Sequence, residues 1–263
     1  MKVAGRILSI ITINYNNCTG LRQTLNTIDK QTFKDFELIV IDGGSTDGSV
    51  EVMNKFSDQI DYQVSEKDSG IYNAMNKGIA KASGEYVFFL NSGDDLYNED
   101  VLKNIIHDLH TEDIIYANLL IQEKNKRWEK QYPSKLHFRY FIYDSLPHSG
   151  GIFIKRNCFR GELDHYDEKV EITADWKWFL TAIYKHNYSY KHLNILTGIF
   201  DYTGISATNS ELLKKEKKIV LTTDFKEIYE EIMPLYKYKV KYNALMSSKF
   251  ISTYIRLRNL IRR

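Results

Sequence analysis

A short polar segment directly after an apolar stretch carries the residues of this sequence that are best suited to chemistry. The segment Leu90-Asn91-Ser92-Gly93-Asp94-Asp95 follows the apolar run Tyr86–Phe89. If that run is a buried strand, the adjacent carboxylates lie at its C-terminal end, where open α/β sheets bind their ligands. Oxygen ligands at such a place suit a divalent cation that carries a phosphate-bearing substrate. The alternative is a polar turn that begins the next helix, since Asn, Ser, Gly and Asp favour turns and caps.

The amino-terminal half alternates between stretches typical of strands and stretches typical of helices. Short, mostly β-branched apolar runs predict strands at Ile7–Ile13, Phe36–Ile41, Tyr62–Val64 and Tyr86–Leu90. Apolar residues at helical spacing predict helices over Leu21–Gln31, from Val50 to Phe56 and over Ile71–Ala82. Such alternation predicts right-handed crossovers and an α/β fold with a doubly wound, mostly parallel sheet.

Polar loops follow the other predicted strands as well, at Asn14–Asn17, Asp42–Ser49 and Asp68–Gly78. Each loop alone is compatible with a turn or a cap, and we expect Ser45 or Thr46 to cap the helix after the second strand. Three carboxylates in successive loops, Asp42, Asp68 and Asp94, are harder to explain as caps. The first loop lacks Gly-x-Gly-x-x-Gly, which argues against an NAD or FAD enzyme.

Composition favours one main domain with a C-terminal extension. The chain has 263 residues, of which 43% are hydrophobic and 13% aromatic, enough for a large core. Cys18 and Cys158 show neither metal-ligand nor disulfide spacing, and the amino terminus lacks the pattern of a signal peptide. No apolar run approaches the ~20 residues needed to cross a bilayer. We therefore expect a cytoplasmic protein with reduced thiols.

The charge of the chain is unevenly distributed. The net charge is +2, but eight basic residues and no acidic ones lie between Pro234 and Arg263, so the preceding residues are net negative. Tyrosines and aliphatic residues alternate with these cations, which predicts a basic amphipathic helix in peripheral contact with an anionic membrane, at its inner face in the cell. The alternative is a helix that packs its apolar stripe on the body of the protein. No nucleic-acid partner is expected, because the acidic body repels phosphate.

Four segments, in this order and spacing, resemble motifs of glycosyltransferase family 2. They are residues 9–17 (Ser-Ile-Ile-Thr-Ile-Asn-Tyr-Asn-Asn), 40–49 (Val-Ile-Asp-Gly-Gly-Ser-Thr-Asp-Gly-Ser), 70–78 (Gly-Ile-Tyr-Asn-Ala-Met-Asn-Lys-Gly) and 89–95 (Phe-Leu-Asn-Ser-Gly-Asp-Asp). Members of that family are inverting enzymes of the GT-A fold that use nucleotide sugars and commonly build bacterial surface polysaccharides. The resemblance covers residues 5–120, and 145–200 more loosely.

The resemblance implies a division of the chain into two parts. A GT-A (Rossmann-like) catalytic domain would occupy residues 1–205, with a nucleotide-binding half at 1–95 and an acceptor-side half at 96–205. A helical, basic extension would occupy residues 206–263.

The resemblance also implies a donor site. Thr12, Asn14, Asp42 and Asp68 would line the nucleoside pocket, where a carboxylate can accept the imide N–H of uracil. A UDP-sugar is therefore the favoured donor, with dTDP and GDP as alternatives.

By the same resemblance, the segment Leu90–Asp95 corresponds to the family's metal motif. Asp94 would be the direct ligand of Mg²⁺ or Mn²⁺, and Asn91 stands where an aspartate is often found. Asp95 would face the donor sugar or cap the following helix. The cation would bridge the diphosphate and stabilise charge on the leaving group.

An inverting transfer needs a general base, and the matching segment is residues 171–179 (Glu-Ile-Thr-Ala-Asp-Trp-Lys-Trp-Phe). Ala174 replaces the family's glutamate there, which leaves Asp175 as the base. Glu171 would share a helical face with Asp175 if the helix already includes it. His148 is a candidate for contact with a phosphate or hydroxyl, and Trp176 is a weaker candidate on the acceptor side. Structural roles for both are the alternative.

These observations predict an inverting glycosyltransferase that moves a sugar from a nucleotide-sugar donor to a glycan or lipid-linked acceptor in cell-surface polysaccharide synthesis. One rival is a sugar-nucleotide nucleotidyltransferase, although its glycine-rich, arginine-containing loop after the first strand is missing. The other rival is a non-catalytic nucleotide- or carbohydrate-binding module, which the departures at Asn91 and Ala174 keep open.

Overall fold

The computed structural model describes residues 6–202 and 209–247. The chain divides into two compact units, Met1–Lys214 and Lys215–Arg263. The predicted domain boundary after residue 205 lies outside the described residues, as does the end of the predicted basic extension, residues 248–263. Among the described helices, none is both long enough and apolar enough to span a bilayer.

Strands and helices alternate in the amino-terminal part of the chain, as predicted. The strands are β1 (Leu8–Asn14), β2 (Phe36–Asp42), β3 (Tyr62–Ser65), β4 (Tyr86–Phe89), β5 (Asp95–Leu96), β6 (Ile114–Glu123), β7 (Lys126–Lys130), β8 (Ile152–Lys155) and β9 (Tyr190–Asp201). The helices are α1 (Cys18–Asp29), α2 (Ser49–Lys55), α3 (Ile71–Lys81), α4 (Val101–Ile105), α5 (Phe138–Tyr143), α6 (Ala174–Tyr184), α7 (Ser210–Thr223) and α8 (Lys226–Ser247).

Within the described residues, nine strands form one sheet in the order β3-β2-β1-β4-β8-β6-β9-β5, with β7 paired to β6. β1 pairs in parallel with β2 and β4, and β2 pairs in parallel with β3. β8 lies antiparallel between β4 and β6, and β6 pairs in parallel with β9. Most strands therefore run in one direction, which confirms the predicted α/β class.

The parallel part of the sheet forms because its strands are apolar on both faces. All seven residues of β1 are buried, which is typical of a parallel strand covered by helices on both sides. Leu21, Leu25 and Ile28 of α1 belong to the buried core on one of these faces. The helix begins at Cys18, earlier than predicted, because the side chain of Asn17 caps it by accepting a hydrogen bond from the backbone N–H of Gly20 (3.1 Å).

A close approach of two glycines brings β9 against the loop before β8. A Cβ atom on Gly198 would lie 2.5 Å from the backbone oxygen of Gly150 and 2.9 Å from its Cα. The hydroxyl of Thr197, next in β9, donates to the same oxygen (2.9 Å). Gly150 itself has φ +70°, which favours glycine. This contact fixes the position of the neighbouring residue Ser149.

The substitution Gly198→Ala is expected to destabilise the fold, because its Cβ meets backbone atoms that no rotamer change can move. We expect the free energy of unfolding to fall by about 1–3 kcal/mol, measured by urea denaturation. Ile195→Ala on the same strand is the control, since that side chain is 41% exposed and should change stability by less than ~0.5 kcal/mol. Equal stability of Gly198→Ala and wild type would contradict the close approach.

Candidate active site

The amide side chain of Asn14 links two of the predicted loops. Asn14 is the last residue of β1, and its Nδ2 donates to Oδ1 of Asp42 at the end of β2 (2.7 Å). Its Oδ1 accepts from the hydroxyl of Ser92 in the loop after β4 (2.7 Å). The strand ends that carry the first, second and fourth motifs are thus joined through one side chain, as expected for the C-terminal edge of a parallel sheet.

Asp42 is fully buried and accepts hydrogen bonds on both oxygens. Ser45 donates through its hydroxyl (2.6 Å) and its backbone N–H (2.8 Å), and Ser65 donates through its hydroxyl (2.6 Å). Burial alone would raise the pKa of Asp42, but hydrogen bonds from Ser45, Ser65 and Asn14 outweigh it and lower the pKa. The carboxylate therefore anchors the loop, and its predicted direct contact with the nucleoside stays a prediction.

The expected helix cap at Ser45 or Thr46 is wrong. α2 begins at Ser49, with Gly48 in the cap position at φ +97°. Ser45 is instead occupied with Asp42 and with the backbone N–H of Asn16 (2.7 Å). The buried carboxylate of Asp42 needs several hydrogen-bond donors. Ser45 is one of them and therefore does not cap α2.

An exposed tyrosine and a partly exposed carboxylate lie beside this loop. A Cβ on Gly43 would lie 2.5 Å from Oδ2 of Asp68 and 3.1 Å from Cδ2 of Tyr15, so the glycine keeps these two side chains close together. Tyr15 is 66% exposed, and Asp68 is partly exposed. Thr12 differs from them, because it is fully buried within β1 and its hydroxyl has no hydrogen-bond partner among the described residues.

The segment after β4 forms a turn that is bound to α1 through Thr24. The hydroxyl of Thr24 donates to the backbone oxygen of Asp94 (2.7 Å) and accepts from the backbone N–H of Gly93 (3.0 Å), which has φ +103°. β5, and not a helix, follows at Asp95, and α4 begins only at Val101. The alternative of a turn that begins the next helix is therefore wrong, as is the expectation that Asp95 caps that helix.

Asp94 points into the protein. Its Oδ2 accepts from the hydroxyl of Ser149 (2.5 Å), which in turn accepts from the backbone N–H of Asn91 (2.9 Å). Its Oδ1 accepts from the backbone N–H of Asp201 (3.0 Å). Burial raises the pKa of Asp94 to about 7, and the nearby carboxylates of Asp201 and Asp95 add to the effect, while the two hydrogen bonds oppose it.

Two oxygens of this turn are buried without hydrogen-bond partners among the described residues, namely Oδ1 of Asn91 and Oδ1 of Asp95. The other oxygen of Asp95 accepts from Gln23 (2.5 Å). Burial raises the pKa of Asp95. In the described part of the chain no three His, Cys, Asp or Glu side chains are grouped as a complete metal site. The donor set fits a cation that takes its remaining ligands from a phosphate-bearing substrate, as Mg²⁺ commonly does.

Asp175 lies in the first turn of α6 and is 7% exposed. Its Oδ1 accepts from the hydroxyl of Tyr72 in α3 (2.7 Å). Glu171 is exposed and lies before the first residue of α6, so the two acids do not share a helical face. The structure thus brings Asp175, and not Glu171, into a buried contact with the third motif.

His148 packs edge-to-face on Phe200 (ring centroids 5.0 Å apart). Burial lowers its pKa, although the charge of Asp175 opposes this, so the ring is neutral at pH 7. The aromatic contacts continue from Phe200 to Tyr202 and from Tyr202 to Trp128, which are 44% and 40% exposed. We call these four residues the aromatic row.

Trp176 does not belong to the exposed surface. It is 1% exposed, and its indole N–H donates to the backbone oxygen of Phe141 (2.9 Å). Its packing is that of a core residue, the alternative weighed from the sequence.

Residues 9–168 match the sequence model of glycosyl transferase family 2. The chain belongs to this family. The match contains all four motifs, and the first, second and fourth of these lie at the joined strand ends. This family 2 enzyme is therefore a glycosyltransferase, as the sequence predicted.

Relatives with assigned names agree. A glycosyltransferase of PGL/p-HBAD biosynthesis from Mycobacterium bovis (strain BCG / Pasteur 1173P2) is 28% identical over 222 residues, which cover 81% of this chain and 85% of that protein. An uncharacterized glycosyltransferase from Mycobacterium tuberculosis (strain CDC 1551 / Oshkosh) is 40% identical over 103 residues, 39% of each chain.

Solved structures show that this family 2 glycosyltransferase has the GT-A fold. S. aureus TarS 1-349 in complex with UDP superposes with a TM-score of 0.61 at 21% identity, over 74% of this chain and 60% of that one. Mannosyltransferase PcManGT from Pyrobaculum calidifontis, in complex with GDP-Man and Mn²⁺, superposes with a TM-score of 0.60 at 14% identity, over 96% of this chain and 84% of that one. The chain thus spans less than two thirds of the TarS fragment.

Four residues of this family 2 site were missed from the sequence as partners of the motifs: Tyr15, Thr24, Tyr72 and Ser149. Tyr15 and Tyr72 lie inside recognised motifs, so their position was a usable signal. Thr24 and Ser149 reach the turn after β4 from α1 and from the loop before β8, across 70 and 55 residues of sequence. No local sequence pattern indicates contacts between residues that lie so far apart in the sequence.

The raised pKa of Asp94 predicts a pH-dependent stability. The unfolded chain releases this proton near the ordinary pKa of about 4, whereas the folded chain keeps it until about pH 7. The contribution of Asp94 to stability is thus greatest below pH ~4 and declines as pH rises to ~7, by at most about 1.4 kcal/mol per unit. Asp94→Asn should remove this decline, measured by urea denaturation across that range.

The control is Asp58→Asn, since Asp58 is an exposed carboxylate outside the site. Its stability should follow the wild-type curve at every pH. Parallel curves for Asp94→Asn and wild type would show that Asp94 is not buried as described.

Proposed function

We propose that the protein is an inverting glycosyltransferase that moves a sugar from a UDP-sugar to a glycan or lipid-linked acceptor in cell-surface polysaccharide synthesis. The observation that carries the proposal is the joined edge of the sheet, where Asn14 connects Asp42 and Ser92. This joined edge supports a donor site in which the loop after β2 would contact the nucleoside and the turn after β4 would hold the cation, with the buried carboxylate of Asp175 as the proposed base. The named relative in PGL/p-HBAD biosynthesis supports a role in building surface glycans.

The choice of UDP rests on the pocket beside Gly43. Asp68 there can accept the imide N–H of uracil, while the exposed ring of Tyr15 offers a stacking face. TarS, a structural neighbour, was solved with UDP and with UDP-GlcNAc, and PcManGT with GDP-Man. dTDP presents the same imide edge as UDP, so it and GDP are the alternatives that the test below includes.

Asn91, Asp94 and Asp95 are the residues that would hold Mg²⁺ or Mn²⁺. The cation would neutralise charge on the departing diphosphate. The unpaired oxygens of Asn91 and Asp95 support direct ligation by these two side chains. Asp94, whose oxygens already accept from Ser149 and Asp201, holds the turn together and stays the predicted ligand once it is ionised.

Asp175 serves as the general base of the inverting step. It takes the proton of the attacking acceptor hydroxyl, whose oxygen bonds to the anomeric carbon as the bond from that carbon to the diphosphate oxygen breaks. The electron pair of that bond leaves with the nucleoside diphosphate. Neutral His148 can donate a hydrogen bond to a phosphate or hydroxyl.

The aromatic row supports a saccharide as the acceptor. The row begins at His148, on whose pKa the charge of Asp175 acts, and it ends at the exposed rings of Tyr202 and Trp128. Pyranose rings pack their C–H faces on aromatic rings, so exposed tyrosine and tryptophan beside a transferase site suit a glycan.

Nucleotide and metal together should stabilise the protein. At 100-fold excess over the Kd a ligand adds about 2.7 kcal/mol, which raises the Tm of a chain of this size by about 5–10 °C. We expect this from UDP with Mn²⁺ and a smaller shift from dTDP or GDP, measured by thermal denaturation. Asp94→Ala should abolish the dependence on the metal.

The variant Asp175→Asn distinguishes nucleotide binding from catalysis when the Tm shift and UDP release are both measured. The Tm shift with UDP and Mn²⁺ should remain, while UDP release from UDP-sugars should fall at least ~100-fold. Glu171→Gln, an exposed acid just before the helix, is the matched control and should keep wild-type turnover. A protein that no nucleoside diphosphate stabilises would not be this transferase.

We further propose that α8 contacts an anionic membrane surface, in keeping with the predicted peripheral location at the inner face of the cell membrane. Leu235, Tyr238, Tyr242 and Leu245 repeat at helical spacing along one face, and their side chains are 52–71% exposed. Exposed Lys237 and Lys241 accompany this stripe. An apolar stripe beside cations is the composition of a helix that lies in the interface of an anionic bilayer.

Substitution of the stripe should release the protein from vesicles. The full chain should float with vesicles of phosphatidylcholine and phosphatidylglycerol, and Tyr238→Ser with Leu245→Ser should lose most of this binding, because about 0.8 kcal/mol is lost per CH₂ group no longer buried. Val240→Ser is the matched control, since Val240 is exposed on another face of the helix. Equal flotation of all three proteins would contradict membrane contact through the stripe.

A further inference from the structure

Tyr72 and Asp175 form a buried pair that connects the third motif to the general base. The hydroxyl of Tyr72 donates to Oδ1 of Asp175 across 2.7 Å, although 103 residues separate the two in sequence. Both are nearly inaccessible, at 6% and 7% exposure. A buried carboxylate requires hydrogen-bond donors, so this contact is an energetic necessity of the site.

The phenol of Tyr72 is the neutral group that donates a hydrogen bond to Asp175. Within the described part of the chain, three titratable side chains face the carboxylate: Tyr72 from α3, Tyr166 from the segment before α6, and His148 from the loop before β8. Burial raises the pKa of Tyr72 well above its ordinary value, and the charge of Asp175 raises it further. Tyr72 therefore keeps its proton at neutral pH and donates it in the hydrogen bond.

The nearby cations are occupied elsewhere. Lys177, two residues after Asp175 and therefore on another side of α6, pairs with Asp167 (2.8 Å), and Lys130 pairs with Asp144 (2.8 Å). A cation bound to a carboxylate favours its charged form strongly and makes it a poor proton acceptor, whereas a neutral donor favours the charged form less. A phenol thus suits a carboxylate that must be ionised and still accept a proton.

Tyr72 is itself held rigidly against the segment that leads to α6. Asn76, one turn later in α3, donates to the backbone oxygen of Tyr166 (2.9 Å) and accepts from its backbone N–H (2.8 Å). Asn73 and Asn76 both donate to the carboxylate of Glu168 (3.0 and 2.9 Å). These bonds fix the distance between α3 and the approach to α6, so the hydroxyl of Tyr72 has a defined place.

We propose that Tyr72 is a positioning residue for glycosyl transfer, which holds Oδ1 of Asp175 so that Oδ2 is the atom that receives the acceptor's proton. The inference rests on the proposed function, in which Asp175 is the base. In the step itself the O–H bond of the acceptor breaks and an O–H bond to Oδ2 forms. The acceptor oxygen bonds to the anomeric carbon, and the electron pair of the broken glycosyl–phosphate bond leaves with the diphosphate.

The test is the pH profile of Tyr72→Phe, which removes one oxygen and keeps the ring. Water serves as acceptor, and the readout is UDP release from a set of UDP-sugars in the presence of Mn²⁺. Loss of a hydrogen bond to the charged form makes protonation of the base easier. We expect the acid limb of kcat/KM to move to higher pH by about one unit and kcat to fall about ten-fold, with the Kd for UDP unchanged.

Tyr86→Phe is the matched control. The hydroxyl of Tyr86 donates to the backbone oxygen of Glu112 (2.6 Å), and the residue is fully buried in β4. Removal of that hydroxyl can lower stability but should leave the acid limb in place. A merely structural role of Tyr72 would produce the same result as this control.

The possible outcomes distinguish a failure of the positioning role of Tyr72 from a failure of the proposed function. An unchanged acid limb in Tyr72→Phe overturns the positioning role while leaving the proposed function intact. Wild-type turnover in Asp175→Asn overturns the choice of base, and the role of Tyr72 with it. No release of nucleotide by the wild-type protein from UDP-, dTDP- or GDP-sugars contradicts both proposals.

Discussion

The buried carboxylate of Asp42 is the constraint on which the rest of the site depends. A fully buried charge is tolerated only when it is surrounded by donors, and Asp42 draws these from the ends of β1 and β3 and from its own loop. Satisfying one charge therefore sets the positions of three strand ends. Asn14 is one of these donors, so its side-chain oxygen faces Ser92 and accepts a hydrogen bond from it. The turn that follows β4 is thereby held in a fixed position relative to the end of β2.

The same logic extends from the parallel part of the sheet to its mixed part. The turn after β4 offers a second buried carboxylate, Asp94, which is satisfied by Ser149 and by the backbone of Asp201 at the end of β9. Asp42 keeps a lowered pKa because it has many donors, whereas Asp94, with two, has a pKa near 7. The first carboxylate is thus a permanent anchor, whereas a cation bound at the second, as proposed, would displace its proton.

The sequence predicted the strand and helix alternation, the fold class and the loops that carry chemistry, because hydrophobic periodicity and strand-end position are local signals. It did not predict that β8 inserts antiparallel between β4 and β6, since the partner of a strand is decided by contacts distant in sequence. The expected cap at Ser45 failed for a related reason. Local propensity favoured a cap, but the serine bonds to a buried carboxylate, whose need for donors is visible only once the strands are packed.

The third motif shows how much of a motif can be structural. Asn73 and Asn76 hold the segment before α6 through Glu168 and Tyr166, and Gly78 is a glycine because a Cβ there would collide with Ile11 of β1. α3 therefore packs tightly on β1 at one end and is hydrogen-bonded to the segment before α6. Asp175 lies on α6, yet its Oδ1 is held by Tyr72 of α3, 103 residues earlier in the sequence. If Asp175 is the base, as proposed, the contacts of α3 link the position of the base to the sheet that carries the proposed donor site.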